Sequence, residues 1–192
     1  GWHGSYDYAA LATYADHLMI MAYDEHYEGG QEGPVASLDF VERSVQYALQ
    51  HTTADKIVVG VPFYGRVWSQ DNDKVKGKGI STKTIQKILQ ECPSTVTYDE
   101  GSQSVRAEFE ITSANSQFTV GYNQVLQPGK YVVWFENDQS YQAKFQLVEK
   151  YDLKGVGAWS LGQEDPSIWD HYDQWLGESE ENTPDHPSQG YL

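Results

Sequence analysis

Three short apolar runs, each ending in polar or aromatic residues and separated by helix-like segments, limit what this chain can fold into. The runs are "HLMIMAYD" (residues 17–24), "KIVVGVPFYG" (56–65) and "KGVGAWSLG" (154–162). Each is too short and too evenly apolar for an amphipathic helix, so each reads as a strand buried on both faces. Pro62 marks a bulge or the end of the second strand. Helices are predicted between them. "DYAALATYA" (7–15) carries its apolar residues on one side, and "GPVASLDFVERSVQYALQH" (33–51) has Ser37 as N-cap. Leu38, Val41, Val45, Ala48 and Leu49 form the apolar face of that second helix. "SYQAKFQLVEKYDL" (140–153) and "PSIWDHYDQWL" (166–176) are also helical, the latter with proline in its first turn. Alternating strand and helix predicts a parallel sheet with right-handed crossovers.

The pattern breaks from about residue 70. "SQDNDKVKGKGIS" is loop-like, and "STKTIQKILQEC" is a short amphipathic helix with a Ser or Thr cap. "STVTYDEGSQSVRAEFEIT", "SQFTVGYNQVL" and "GKYVVWFEN" alternate and are separated by turn residues. Residues 70–136 therefore read as a small α+β unit, after which the β/α pattern resumes. Residues 177–192 are polar, acidic and proline-containing, and are expected to form a disordered tail or linker.

A net charge of −15 opposes nucleic acid and anionic membrane as partners. No apolar run approaches the length of a membrane span, and the first residues show no signal-peptide pattern. The lone Cys92 excludes an internal disulfide and fits either redox compartment. The six histidines are scattered without metal-ligand spacing, and nothing implies a cofactor. Six Trp and 14 Tyr against six Phe are the informative excess. Their flat faces and polar handles suit stacking on sugar rings, or equally a large aromatic core. Polar groups collect where the apolar runs end: Tyr23-Asp24-Glu25, Tyr64-Gly65-Arg66 and Trp159-Ser160. In β/α barrels that end of the strands carries the chemistry, so the three clusters are expected to face one cleft.

These residues resemble the carboxyl-terminal half of a family 18 glycoside hydrolase, the group of chitinases and N-acetylglucosaminidases. Met21-Ala22-Tyr23-Asp24 is similar to that family's sixth-strand motif, and "GVPFYGRVW" (60–68) to its seventh strand. "WFENDQSYQAKFQLVEKYDLKGVGAWSLGQED" (134–165) resembles the block leading into the eighth strand, with Trp159 as its tryptophan. The resemblance implies an α/β fold: the C-terminal portion of a (β/α)8 TIM barrel, about strands six to eight, with an α+β insertion domain between the seventh and eighth. The implied boundaries are 1–69 and 137–176 for the barrel segments, 70–136 for the insertion and 177–192 for the tail. The "YDEHY" and "GAWSLGQEDPSIW" wording looks most like bacterial cell-wall and spore-associated members, which implies an extracellular, wall or spore location.

The family's Asp-x-x-Asp-x-Asp-x-Glu motif, which supplies the general acid, has no match here: "DNDKVKGK" and "YDEGSQS" fail on spacing. A full barrel takes roughly 250 residues. The resemblance thus implies the substrate-holding half of a site that hydrolyses β-linked N-acetylglucosamine glycans, chitin or peptidoglycan, by a substrate-assisted retaining route. This chain alone is expected to be inactive, and to self-associate, swap or need the missing half.

By the same resemblance Tyr23 hydrogen-bonds the substrate acetamido group and Asp24 accepts from sugar hydroxyls and shapes the field. Met21 lines the pocket floor, Tyr64 and Arg66 border it, and Arg66 pairs with Asp24 or a hydroxyl. Trp159 is the stacking floor, with a cis peptide expected after it. Trp68 extends the sugar platform or covers the insertion interface, and Glu136 touches substrate where the chain returns from the insertion. Glu25 and His26 have no implied role, and strand alternation argues against Asp24 and Glu25 acting as a pair. Two other readings stay open: a non-catalytic, lectin-like relative, and a free-standing α/β interaction module.

Overall fold

The computed structural model describes residues 6–175; the expected tail at 177–192 lies outside them. The parallel unit contains helix α1 (Tyr8–Tyr14), strand β1 (Leu18–Ile20), helix α2 (Leu38–Leu49) and strand β2 (Ile57–Pro62). The antiparallel unit follows with β3 (Tyr64–Ser69), β4 (Lys76–Ser81), helix α3 (Thr82–Glu91), β5 (Ser94–Asp99) and β6 (Ser104–Ile111). It ends with the short strands β7 (Thr119–Val120) and β8 (Gln124–Val125) and the long β9 (Gly129–Phe135). Helix α4 (Asp138–Tyr151), β10 (Gly155–Trp159), a 3-10 turn (Pro166–Asp170) and α5 (Tyr172–Trp175) complete the described chain.

β1, β2 and β10 form a three-stranded parallel sheet in that order, as the alternation of strand and helix predicts. The caps are local. Asp7 accepts from the Ala10 amide, Ser37 from Phe40, and Asn137 and Ser140 close a capping box on α4. β1 is shorter than the apolar run, because the Ala22 amide turns back to the Ile20 carbonyl at 2.9 Å.

One face of this sheet is core. Ile20, Ile57 and Val59 pack on Val41, Val45 and Ala48 of α2 and on Leu147 and Leu153. Val61 and Phe63 join Tyr141, Phe145 and Ile168 in a neighbouring cluster. The other face differs from the expectation of strands buried on both sides. Met19 is 42% exposed and Trp159 59%, and Met21, just past the end of β1, is 65% exposed. Gly157 has no side chain because Met19 fills that place, its Cε lying 2.8 Å from where a Cβ would stand. Among the described residues no element covers this face.

β4-β3-β9-β6-β5 form a five-stranded antiparallel sheet, with β7 and β8 as a separate hairpin. Its core, with α3, is built from residues such as Val67, Ile85, Ile88, Val105, Val133 and Phe135. The change of sheet falls at Phe63, ahead of the compositional change at residue 70, since β3 pairs with β4 and β9. Phe63 donates its amide to the Trp159 carbonyl (2.8 Å), and its own carbonyl accepts from the Thr82 hydroxyl (2.9 Å). Pro62 thus ends one strand and the next residue starts the turn into another sheet.

Candidate functional site

β1, β2 and β10 run parallel and end on the same side of the sheet, where Asp24 follows β1, Tyr64 and Arg66 follow β2, and Trp159 closes β10 beside Pro62. Asp24 comes after the Ala22 turn with φ +61°, a conformation Asp tolerates better than most side chains. Its Oδ1 accepts from the Tyr64 hydroxyl (2.6 Å) and from Arg66 Nη2 (2.7 Å) and Nε (2.9 Å). Among the described residues no donor reaches Oδ2, and the side chain is 41% exposed. Arg66 is held from the other side by donating Nη1 to the Gly77 carbonyl at 2.6 Å. The guanidinium offsets the carboxylate, so the corner presents one open acceptor oxygen with little net charge.

Two phenols stand beside it. The Tyr23 and Tyr64 rings meet edge to face at 6.2 Å. Burial first, then the hydrogen bond to Asp24, pushes the Tyr64 hydroxyl far above the usual phenol range. Burial, with Asp24 adding to it, also raises Tyr23. Both therefore remain O–H donors at any physiological pH. Trp159 ends β10 beside the Phe63 amide, its following peptide bond is cis, and the residue is 59% exposed. Met21, in the turn just past the end of β1, is 65% exposed.

The structure thus gathers Met21, Tyr23, Asp24, Tyr64, Arg66 and Trp159 at the strand ends. It separates the other two residues expected there. Trp68 is 5% exposed, packed with Val132 and Trp134, and donates its indole N–H to the Gly30 carbonyl at 3.1 Å. That leaves it no open face for a sugar. Glu136 is 1% exposed and its Oε2 accepts from buried Lys144 at 2.7 Å, so its carboxylate is turned into the protein.

Glu25 and His26 acquire roles in the loop that follows. The Glu25 amide donates to the Val35 carbonyl and its carboxylate accepts from the Ser37 amide, both at 2.9 Å. His26 Nδ1 lies 2.9 Å from the Pro34 carbonyl, and its ring occupies the space a side chain on Gly33 would need, within 2.4 Å. These contacts close the 24–37 loop. Their partners lie about ten residues on, where no local sequence signal points to them. Among the described residues no three His, Cys, Asp or Glu side chains are grouped to hold a metal ion.

Removing the Asp24 carboxylate should unsettle this corner measurably. Asp24→Ala strips the acceptor from a phenol and a guanidinium and is expected to cost about 1.5–3 kcal/mol in urea unfolding. Asp24→Asn keeps one acceptor oxygen and tolerates the positive φ, so it should cost less; an Asp24→Ala variant as stable as the parent would mean that the carboxylate does not organise the corner.

The profile of glycosyl hydrolases family 18 matches residues 1–164, and the chain belongs to that family. An uncharacterized glycosylase of Bacillus subtilis, YvbX, is 33% identical over 168 residues, covering 88% of this chain and 44% of that protein. The cortical fragment-lytic enzyme of Bacillus subtilis is 28% identical over 170 residues, 88% of this chain and 36% of the enzyme. The solved chitinase of Chromobacterium violaceum superposes with a TM-score of 0.73 at 31% identity, covering 90% of this chain and 49% of that one. The chain therefore has the mixed α/β fold of family 18 chitinases, and spans a third to a half of the length of these relatives.

Proposed function

We propose that this chain is the C-terminal portion of a (β/α)8 barrel, strands six to eight, with residues 70–136 as the body of an insertion between the seventh and eighth. In this reading it supplies the substrate-holding wall of a glycoside hydrolase acting on β-linked N-acetylglucosamine chains, chitin or peptidoglycan. The names of its relatives, which include a sporulation-specific glycosylase and cortical fragment-lytic enzymes, support a spore or cell-wall setting.

The observation that carries the reading is the Asp24 corner: a carboxylate with one oxygen saturated by Tyr64 and Arg66 and the other open, next to a protonated Tyr23, with an exposed Trp159 at the same end of the parallel sheet. Trp159 offers a flat apolar surface to the reactive sugar. Tyr23 donates to the acetamido oxygen and fixes its approach to the anomeric carbon, which converts the attack into an oriented intramolecular step. As the oxazolinium ion forms, positive charge develops beside Asp24, whose open oxygen also accepts from a sugar hydroxyl. Protonation of the leaving oxygen falls to a glutamic acid outside this sequence. Met21 lines the floor; Trp68 and Glu136 are packing residues and take no part.

The test is calorimetric titration with N-acetylglucosamine oligomers alongside a hydrolysis assay. Binding without turnover is expected of this chain, and turnover once upstream sequence carrying the acidic motif is joined to it. Turnover by the chain alone would mean the acid is misplaced, and absence of binding would remove the functional reading. Binding by the joined protein without turnover would favour a lectin-like relative.

A further inference from the structure

The loop between β1 and α2 is fastened to the antiparallel sheet by a second acid that the site itself does not use. Arg66 on β3, Trp134 on β9 and Arg106 on β6 are register partners across three adjacent strands. Directly opposed residues of a ladder point to the same face, so these side chains form one row, guanidinium–indole–guanidinium. The loop meets that row twice. Asp24 takes Arg66 at 2.7 Å, and Glu32 Oε1 takes both Arg106 Nε at 2.7 Å and Trp134 Nε1 at 3.0 Å. Between these two pairs the loop is tied again: Gly29 donates its amide to the Lys76 carbonyl at 2.8 Å, and Glu28 pairs with Lys78.

We infer that Glu32 is a positioning residue for the strand-end site: it locks the 24–37 loop onto the antiparallel sheet and so sets where Asp24 meets Arg66. The inference rests on the reading of that corner as a glycan site. The physical reason is register. The Asp24–Arg66 pair fixes the start of the loop and the contacts at residues 28–30 tie its middle to β3 and β4, but these leave the stretch beyond Gly30 without a hold on β6 and β9. The second pair, reinforced by an indole N–H that accepts only one geometry, supplies that hold. Glu25 and His26 then stiffen the neck, so displacement at Glu32 is carried back to Asp24 and not absorbed locally.

The experiment compares Glu32→Ala, Glu32→Gln and Glu42→Ala with the unaltered chain. Glu42 accepts from Lys150 and Tyr151 at 2.6 Å, so its loss removes a comparable surface network far from the site in sequence. Glu32→Ala is expected to weaken binding of an N-acetylglucosamine oligomer about tenfold. Glu32→Gln keeps an acceptor for Trp134 and should restore most of it, and Glu42→Ala should leave affinity unchanged. Amide exchange gives a second, ligand-free reading. Glu25 and Gly29 should lose protection in Glu32→Ala while Val59 in β2 keeps its own. If the oligomer binds the unaltered chain and Glu32→Ala equally, or if Glu25 and Gly29 stay protected, the positioning role is overturned. If nothing binds the unaltered chain the functional reading fails, and the exchange result still decides whether Glu32 holds the loop.

Discussion

Lys144→Met should destabilise the chain by about 3–5 kcal/mol, because it leaves a buried carboxylate without its counter-charge. For a domain of this size that lowers Tm by roughly 6–20 °C. The side chains of Lys144 and Glu136 are both fully buried, at 0% exposure, and their charged atoms are 2.7 Å apart. Lys144 also donates to the Gln103 carbonyl at 3.2 Å. The pair joins α4 to the end of β9 and to the turn before β6, so its loss is felt in both sheets. Burial is the largest influence on Glu136 and pushes its carboxyl above the ordinary range, with Lys144 pulling the other way.

The sign of the pH effect follows. An acid whose folded pKa is raised contributes its full stability below its unfolded pKa and loses it as pH rises through the folded value. With Lys144 gone the opposing influence goes too, and the penalty should be larger at about pH 8 than at about pH 5. Glu136→Leu combined with Lys144→Met, which removes both charges, should recover most of the loss. Thermal melts of the single and double variants at the two pH values decide it. A single variant as stable as the parent, or a double variant no better than the single, would contradict the account.

Trp159→Ala is expected to abolish most glycan affinity and leave folding untouched. Truncating a central aromatic anchor costs about 2 kcal/mol or more of binding, roughly thirtyfold. With 59% of the residue exposed, stability should change by about 0.5 kcal/mol or less. Titration with an oligomer and a melt of the same sample separate the two quantities. Unchanged affinity would move the stacking floor elsewhere, and a large fall in Tm would make Trp159 a core residue.

The parallel part of the fold was legible because it is written locally. The apolar runs at 18–22, 57–62 and 155–159, Ser37 as a cap and Pro62 as a strand end are each readable within a few residues. The sheet change at Phe63 was not, because "GVPFYGRVW" is continuously apolar and aromatic across the turn, and only pairing with β9 reveals the second sheet. The Asp24–Arg66 pair was legible from the resemblance. Trp68 packs as the interface alternative for it anticipated, whereas the burial of Glu136 was not legible, because sequence shows that a side chain can meet a sugar but not what covers it. A loop carbonyl at Gly30 covers the first and an ammonium from the next helix the second. Glu25, His26 and Glu32 gave no signal, since Ser37, Pro34, Arg106 and Trp134 become their partners only after folding. Exposure of Met19 also defied the pattern, because an apolar strand face looks the same whether or not it is covered.

Tyr141 donates its hydroxyl to the Pro62 carbonyl at 2.8 Å, which brings the first turn of α4 against the last residue of β2. Residues 64–136 therefore leave the parallel unit and rejoin it at a single doorway. A segment with neighbouring ends behaves as a cassette: it can lengthen, shorten or be exchanged without re-threading the strands beneath it. The cassette is not inert cargo, however, because the Asp24 loop leans on its sheet. If the corner binds glycan as proposed, exchanging the cassette would leave the parallel strands standing while resetting the shape of that corner, a route to altered glycan preference without a rebuilt fold.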